Sequence, residues 1–314
     1  MNSNKYIGID LGGTKIMTAV ADENGEIIDK VKLATESHLG QTRIKDNIFS
    51  SVYKVLANTN TKMENINKIG IGSPGPLNIE RGIIYKSSNL PIKNMQIVKL
   101  LKKETGIDTY IQNDANAAAL GEKKFGAGQE VDDLLYITIS TGVGGGIIVN
   151  GNIYYGHTGN AGEIGHITVD PAGPKCGCGN YGCLESFSSG TAIKNMAKKA
   201  IKSKDETILK EMNKNNKLSA ELVAKAAAKG DNKALAIFSE AGYYLGIGMA
   251  SLVNIFNPEL IILGGGVMKA KEYFLDKAKE EFKKRALDVS ADIVKITEAK
   301  LKDEIGVKGA IAVA

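Results

Sequence analysis

The stretch from Ala161 to Glu185, AGEIGHITVDPAGPKCGCGNYGCLE, constrains the fold of this chain more than any other part of it. It contains every cysteine of the protein, Cys176, Cys178 and Cys183, in the spacing C-x-C-x4-C. The glycines between them allow a short loop to fold back so that several thiolates face one point. Structural zinc takes four cysteine or histidine ligands in a tetrahedron. The natural fourth ligand is His166, upstream of the cysteines in the segment GHITVD, which is predicted to be a strand. The pattern predicts a structural Cys3His zinc site, because four protein ligands leave no open position for water.

Two other interpretations of the cysteines remain open from the residues alone. They are reduced thiols in a surface loop, or one disulfide with one thiol left over. The odd number of cysteines at so tight a spacing argues against the disulfide. Three cysteines at metal spacing also fit a reducing cytoplasm.

Composition excludes several classes of function. A chain of 314 residues, 43% hydrophobic and 24% charged, is typical of a soluble protein of two ordinary domains. The net charge of +5 is spread over mixed lysine and glutamate stretches, so we expect solvated helix faces and no nucleic-acid partner. The start MNSNKY has no apolar segment, and no uninterrupted run of about 18 apolar residues occurs. We therefore expect neither a signal peptide nor a membrane span, and a cytoplasmic protein.

Two strand–glycine turn–strand patterns occur, one in each half of the chain. The first runs from Tyr6 through DLGGTK to Ala21 and continues, after Asn24-Gly25, into a third strand. The second runs from Leu134 through TGVGGG to Val149. No helix follows the first glycine turn, which excludes a Rossmann fingerprint, and no G-x4-GK[ST] occurs, which excludes a P-loop.

Helical periodicity accounts for most of the remaining chain. Residues 41–56 carry apolar residues on one face, and residues 91–104 are predicted to be largely helical. Beyond Glu185 the chain is mostly helical and includes a long apolar helix that Pro258 ends. A strand near residues 293–297 and a helix over residues 304–313 close the chain.

The glycine turns are candidate phosphate sites, because glycines at a hairpin tip expose backbone N–H groups to phosphate oxygens. An ordinary Gly-Gly hairpin is the alternative. Asp10 is placed to approach a magnesium ion through water. A glycine triplet after a buried strand suits close approach of backbone to a nucleoside. The predicted nucleotide-binding residues are Asp10, Gly12, Gly13, Thr14, Lys15, Thr141, Gly142, Gly144, Gly264, Gly265 and Gly266.

The pair Asn113-Asp114 is the candidate for catalysis. Asp114 stands where a strand ends and an alanine-rich helix begins, so it is either a routine helix N-cap or a functional carboxylate. As a functional group it accepts the proton of an attacking hydroxyl. The helix dipole would lower its pKa and make it a weak base, which suits phosphoryl transfer, where position and charge matter more than prior deprotonation.

The quoted motifs resemble those of the ROK family (repressors, open reading frames, kinases). That family carries E-x-G-H followed by C-x-C-G-x-x-G-C-L-E, which here runs from Glu163 to Glu185 with every position present. The resemblance covers nearly the whole chain. It implies an α/β protein with the two-domain actin–hexokinase-like (ribonuclease H-like) fold and a cleft between the domains. The small domain would comprise residues 1–113 with the C-terminal helix 299–314, and the large domain residues 114–298 with the zinc loop.

The resemblance also implies the roles of individual residues. Asp114 would be the general base, and His166 would use one ring nitrogen for zinc and the other for a sugar hydroxyl. From the residues alone, the two glutamates of the motif could equally be exposed loop residues. The implied sugar-binding residues are Gly75, Asn89, Asn113, Asp114, Glu163, His166 and Glu185.

The expected function is ATP-dependent phosphorylation of the 6-hydroxyl of glucose, with Mg2+ accompanying ATP. The segment GCLESFSSGTAI resembles the glucokinase branch more than the fructokinase branch. The alternatives are a kinase for fructose, mannose, N-acetylmannosamine or N-acetylglucosamine, and a non-catalytic sugar sensor. Repressors of the family carry a helix-turn-helix before the first hairpin. Here that hairpin begins by residue 5, so we do not expect a repressor. Only the resemblance indicates ATP as the phosphate donor, and polyphosphate and ADP remain alternative donors. Family members are commonly homodimers or homotetramers, and the apolar helix over residues 243–256 could form the interface.

Overall fold

The computed structural model describes residues 4–87, 90–203 and 206–314, which form two compact units. The first unit contains the described residues of Met1–Asp132, Gly146–Gly162 and Ala299–Ala314. The second contains those of Asp133–Gly145 and Glu163–Glu298.

Both units contain strands and helices, as the sequence patterns predict. The strands are β1 Lys5–Leu11, β2 Lys15–Ala21, β3 Ile27–Ala34, β4 Ile66–Ser73, β5 Leu77–Asn78, β6 Ile83–Ser87, β7 Leu90–Met95, β8 Asp108–Asn113, β9 Leu134–Ile139, β10 Val143–Val149, β11 Asn152–Ile153, β12 Leu260–Gly264 and β13 Lys295–Glu298. The helices are α1 Gln41–Asn58, α2 Ile97–Thr105, α3 Asp114–Phe125, α4 Glu185–Ser188, α5 Gly190–Lys202, α6 Leu209–Asn215, α7 Ala220–Ala227, α8 Asn232–Phe256, α9 Leu275–Arg285, α10 Asp288–Ala291 and α11 Ile305–Val313.

The central sheet of the first unit has the strand order β3-β2-β1-β4-β8. β1 pairs antiparallel with β2 and parallel with β4, and β4 pairs parallel with β8. Alternation places Ile7, Ile9, Ile69 and Ile71 in a core that α1 completes. The predicted meander of β1, β2 and β3 is confirmed.

The opposite face of this sheet is built for contact between backbones. Gly8 and Gly70 are register partners in β1 and β4, and α11 lies on them. A Cβ on Gly8 would lie 2.5 Å from the Val307 carbonyl oxygen, and one on Gly70 only 1.9 Å from that of Ala310. α11 also packs against α3, where a Cβ on Gly121 would lie 2.9 Å from the Gly309 nitrogen.

A buried carboxylate ties the C-terminal segment to α3. Glu122 is 0% exposed, and its Oε1 accepts a hydrogen bond from the Leu301 N–H at 2.9 Å. Its Oε2 accepts from the N–H groups of Ala127 at 2.7 Å and Lys300 at 3.2 Å. These contacts explain why the predicted domain boundary between residues 113 and 114 is wrong. α3 belongs to the first unit because α11 and the preceding segment hold it there.

The sheet of the second unit is centred on β12, which pairs parallel with both β9 and β13. β10 and β11 continue this sheet in the order β11-β10-β9-β12-β13. The division between the units falls within β10, after Gly145. The apolar helix α8 packs against α4, α5, α7 and α9. By length and composition α8 could cross a membrane, but 61% of its most apolar window is buried, as in a core helix.

Two local predictions are wrong. Residues 91–104 are not one helix, since Leu90–Met95 form strand β7 and the helix begins only at Ile97. Burial alternates along β7, so its period is that of a strand. His166 is the last residue of a 3-10 helix, Ile164–His166, and does not lie in a strand.

The glycine contact between β4 and α11 predicts opposite effects for two neighbouring substitutions. Gly70→Ala forces a Cβ into the Ala310 carbonyl, so we expect a loss of at least about 3 kcal/mol in the free energy of unfolding. Gly72→Ala, on the same face of the same strand, meets its nearest atom, the Ala117 Cβ, at 3.6 Å and should cost less than about 1 kcal/mol. Thermal and urea unfolding of both variants measures the difference, and equal stability of the two would contradict the packing described.

Candidate active site

The four predicted metal ligands converge on one point. The ligand atoms of His166, Cys176, Cys178 and Cys183 all lie within 4.8 Å of one another. The His166 Nδ1 lies 3.6 Å from the Cys176 Sγ, and the Cys178 and Cys183 sulfurs are 3.7 Å apart. Neighbouring ligand atoms of a tetrahedral zinc are separated by about 3.5–3.8 Å. All three cysteines are free, so the disulfide alternative is wrong and the arrangement has the size and chemistry of a zinc site.

The pKa values of Cys178 and Cys183 are shifted in opposite directions. Burial, followed by the neighbouring Cys178 thiol, raises the pKa of Cys183 to about 12. Hydrogen bonding from the Asn180 backbone and then from Cys176 lowers the pKa of Cys178, which is exposed. A metal ion binds thiolates, so loading such a site has to displace the Cys183 proton.

Glycines and an unpredicted polar contact hold the cysteine loop in place. Gly179 and Gly182 adopt φ values of +99° and +69°, and a Cβ on Gly182 would lie 1.5 Å from the Asp170 carbonyl oxygen. The Tyr244 hydroxyl donates to the Asp170 Oδ2 at 3.1 Å, and the Tyr244 ring stacks on Phe187. Burial and then this contact raise the pKa of Tyr244 to about 12. The spacing of residues within the cysteine loop does not predict that Tyr244 supports it, because Tyr244 lies far along the chain on α8.

His166 faces two partners. While Nδ1 points to Cys176, Nε2 lies 3.9 Å from the Glu163 Oε2. The side chain of Glu163 is 64% exposed and that of His166 is 36% exposed. The second ring nitrogen is therefore accessible to a ligand that Glu163 also contacts.

Glu185 connects the cysteine loop to the glycine turn before β10. Its Oε1 lies 3.9 Å from the Cys176 Sγ, and its Oε2 accepts a hydrogen bond from the Val143 N–H at 3.0 Å. A Cβ on Gly142 would lie 2.2 Å from Oε2, so only glycine permits this approach. The Val143 N–H binds Oε2 directly, whereas Oε1 has only the long contact with the Cys176 Sγ and is the oxygen better placed for a ligand hydroxyl.

The turn before β10 is shorter than predicted. Ser140 donates its N–H to the Gly142 carbonyl at 2.8 Å, and the strand resumes at Val143, so Gly144 lies inside β10. The carbonyls of Ser140 and Thr141 accept from the N–H groups of Gly190 and Thr191 at the start of α5. These bonds fix the turn against the helix.

The three glycines that follow β12, Gly264 to Gly266, have two different roles. A Cβ on Gly264 would lie 2.4 Å from the Tyr136 hydroxyl, and one on Gly265 would lie 2.3 Å from the Ile139 carbonyl. Both are therefore required by packing against β9. Gly266 has no such neighbour, donates its N–H to the Ser140 hydroxyl at 3.2 Å, and lines a cavity.

That cavity lies entirely within the second unit and has a volume of about 1080 Å³. Its floor includes Ser140 and Thr141 from the turn and Gly266 from the triplet. α5 and α7 contribute apolar wall. The charged lining, which the sequence did not predict, is net positive and consists of four lysines and two glutamates: Lys194, Lys217, Lys225, Lys269, Glu221 and Glu272. Of these, Lys225 pairs with Glu221 at 2.7 Å. Room, apolar walls and positive charge suit a nucleotide.

In the first unit, the hairpin tip follows Asp10 at the end of β1. The Gly12 N–H donates to the Lys15 carbonyl at 2.9 Å, and the Thr35 hydroxyl donates to the Gly12 carbonyl at 2.6 Å. Gly13 is half-buried, while Thr14 and Lys15 are exposed. Burial raises the pKa of Asp10, and the Lys15 ammonium opposes that shift. A further cation near Asp10 would favour its charged form, as a magnesium site requires.

Asn113 and Asp114 stand at the junction of β8 and α3. Asn113 is the N-cap, since its Oδ1 accepts from the Ala115 N–H at 3.0 Å, and Asp114 is the first helical residue. The interpretation of Asp114 as a routine N-cap is therefore wrong, although its Oδ1 also accepts from Ala115 at 2.8 Å. A Cβ on Gly75 would lie 3.5 Å from the Asn113 Nδ2, so these two predicted sugar contacts are neighbours. The remaining one, Asn89, lies outside the described residues.

Comparisons with known proteins give matches along nearly the whole chain. The sequence profile of the ROK family matches residues 6–314. A glucokinase of Halalkalibacterium halodurans is 39% identical over 311 residues, which cover 98% of this chain and 94% of the relative. A xylose repressor of Caldicellulosiruptor bescii is 34% identical over 306 residues, which cover 98% of this chain and 77% of the repressor.

A crystal structure of a ROK family glucokinase from Streptomyces griseus, in complex with glucose and AMPPNP, is similar to this chain with a TM-score of 0.83. The two are 32% identical, and the match covers 99% of each chain. The likeness confirms the predicted actin–hexokinase-like α/β fold.

Proposed function

This chain belongs to the ROK family, and from that membership we propose that it is an ATP-dependent hexose kinase that phosphorylates the 6-hydroxyl of glucose. The observation that carries the proposal lies within the second unit. The turn at Ser140–Val143 forms part of the floor of the cavity and also donates a hydrogen bond to Glu185. A site for a phosphate donor therefore borders a carboxylate that suits a sugar hydroxyl.

We assign the cavity to the adenosine part of ATP. Its apolar walls suit a base, and Gly266 leaves room for close approach of ribose. The backbone N–H groups of the two glycine turns, at Gly12–Lys15 and Thr141–Gly142, are assigned to the phosphates. Magnesium, when bound with ATP, neutralises phosphate charge, and Asp10 is the residue that we assign to it through water.

Sugar recognition is assigned to Glu163, His166 and Glu185, with Gly75, Asn89 and Asn113. Carboxylates and an imidazole N–H are fixed acceptors and donors of the kind that a ring of hydroxyls requires. We propose zinc for the Cys3His group, in a structural role. The thiolate-bound metal would fix the tautomer of His166, so that Nε2 carries the proton offered to the sugar.

The reaction requires one proton acceptor. In the proposed step the 6-hydroxyl oxygen bonds to the γ-phosphorus, the bond from that phosphorus to the bridging oxygen of ADP breaks, and Asp114 takes the hydroxyl proton. The products are glucose 6-phosphate and ADP, and Asp114 returns the proton to solvent. The transition state is loose, so Asp114 contributes mainly by position and charge.

We also propose that the protein is cytoplasmic and assembles as a homodimer or homotetramer. The buried fraction of α8 and the absence of disulfides among the three cysteines support the first proposal. Ile255, at the end of the apolar helix α8, is 71% exposed and supports the second.

A coupled assay across sugars and donors tests the proposed function directly. We expect glucose with ATP to give the highest kcat/KM, with fructose, mannose and the two N-acetylated amino sugars lower by about tenfold or more. Polyphosphate and ADP are tested as donors in the same assay. If another sugar is phosphorylated in preference to glucose, the protein is a kinase with a different substrate. If glucose binds but no phosphate is transferred, the protein is a sugar sensor.

Asp114→Ala should lower kcat by about 10²–10⁴-fold while glucose affinity, measured by calorimetry, changes by less than about threefold. The matched control is Asp108→Asn at the opposite end of β8, where the exposed carboxylate pairs only with Lys102 at 2.7 Å among the described ion pairs. This control should keep activity within about twofold of the parent. An Asp114→Ala variant retaining more than about a tenth of the parental rate would exclude the assignment as base.

Cys178→Ser should remove the zinc and also lower the affinity for glucose by about tenfold or more. The reason is that the metal fixes the orientation of His166, and without it the imidazole is no longer held. Cys178 is the exposed ligand, so its substitution disturbs packing least. Tyr181→Phe, in the same loop and 53% exposed, is the control that should keep both properties. Elemental analysis gives the zinc content and calorimetry the affinity. Full glucose affinity in zinc-free protein would refute the role of His166.

A further inference from the structure

Two pairs of register partners in β1 and β4 face the C-terminal helix α11. Gly8 is the partner of Gly70. Asp10, two residues further along β1, is the partner of Gly72. Alternation along the strands puts all four residues on the side of the sheet that α11 covers. Three of the four are glycines, so among them only Asp10 places a side chain between the sheet and the helix.

Gly306, the second residue of α11, makes room for this carboxylate. A Cβ on Gly306 would lie 2.3 Å from the Asp10 Oδ2, 2.6 Å from its Cγ and 3.2 Å from its Cβ. These are the three nearest atoms, so a methyl group on Gly306 would meet the Asp10 side chain before anything else. The glycines further along the sheet differ, because a Cβ on Gly8 or Gly70 would first meet a carbonyl oxygen of the helix.

The helix itself gains nothing from a glycine at this position. Glycine is a poor helix former, and alanine would stabilise the first turn of α11. Hydrogen bonding does not hold the carboxylate either, since no donor within residues 4–87, 90–203 and 206–314 bonds to Asp10, which is half-buried. Steric contact with Gly306 is therefore the constraint that the structure places on the Asp10 carboxylate.

We infer that Gly306 is a positioning residue for the reaction, which fixes where the Asp10 carboxylate lies at the end of β1. The inference rests on the proposed assignment of Asp10 to magnesium through water. A contact through water requires the carboxylate oxygen to lie within hydrogen-bond distance of that water, so a small displacement weakens it. A methyl group on Gly306 would displace Oδ2 in this way. Gly306 thus acts on the metal only through Asp10.

Calorimetry of ADP binding, with saturating magnesium and with EDTA, measures the contribution of the metal without turnover. Gly306→Ala should lower the ratio of the two affinities by about tenfold or more, with glucose affinity and ADP affinity in EDTA within about threefold of the parent. Gly72→Ala is the matched control, because a Cβ there meets only the Ala117 Cβ at 3.6 Å and the Gly306 carbonyl at 4.0 Å. This control should keep the ratio within about twofold. A merely structural role would lower the Tm of Gly306→Ala and leave the ratio at its parental value, which would overturn the inference.

A double-mutant cycle with Asp10→Ala tests the same contact if Gly306→Ala folds poorly. Asp10→Ala removes the two atoms that the added methyl group would meet at closest range. In that background Gly306→Ala should change the affinity ratio by less than about twofold, and any lowering of Tm seen in the parental background should disappear. An equal loss of Tm in both backgrounds would overturn the inference. If Asp10→Ala alone leaves the ratio unchanged, the magnesium assignment of Asp10 is wrong, which distinguishes failure of the proposed function from failure of the role of Gly306.

Discussion

Direct backbone contact between α11 and the glycines of β1 and β4 is the constraint on which the first unit depends. Gly8 and Gly70 stand side by side in the sheet, and no side chain fits between them and the carbonyls of Val307 and Ala310. α11 then supports α3, whose first residue is Asp114. The end of the chain thus determines where the proposed base lies. Glu122 reinforces the arrangement, because three backbone N–H groups bind its buried carboxylate.

The second unit has its own fixed point at the turn Ser140–Val143. Its carbonyls bind the start of α5, the Ser140 hydroxyl binds the Gly266 N–H, and the Val143 N–H binds Glu185. Backbone groups make most of these bonds, so the turn keeps its shape without depending on particular long side chains. Beside it, three thiols and an imidazole converge in a glycine-rich loop that contains little regular secondary structure.

Sequence patterns predicted much of this arrangement. The Cys3His group, both hairpins, α1 and the helical region after Glu185 follow from spacing and periodicity, which are local properties. The N-cap of α3 could not be predicted from the local sequence, because either Asn113 or Asp114 could cap the helix. The structure shows that Asn113 is the N-cap. The boundary at residues 113–114 failed because α3 is held by α11, nearly 200 residues away along the chain. Tyr244 belongs to no sequence motif, since only folding brings it to its partner Asp170.

The sharing of Glu185 has a thermodynamic consequence. One oxygen of this carboxylate is bound to the turn that helps line the cavity of the second unit, and the other faces the cysteine loop. A ligand that moved this carboxylate would also move the turn, which would link the binding free energies on the two sides. Linkage of this kind is reciprocal: whatever factor the sugar imposes on nucleotide affinity, the nucleotide imposes on sugar affinity. The hydrogen bond from Val143 to Glu185 is therefore the contact through which we expect one ligand to change the affinity for the other.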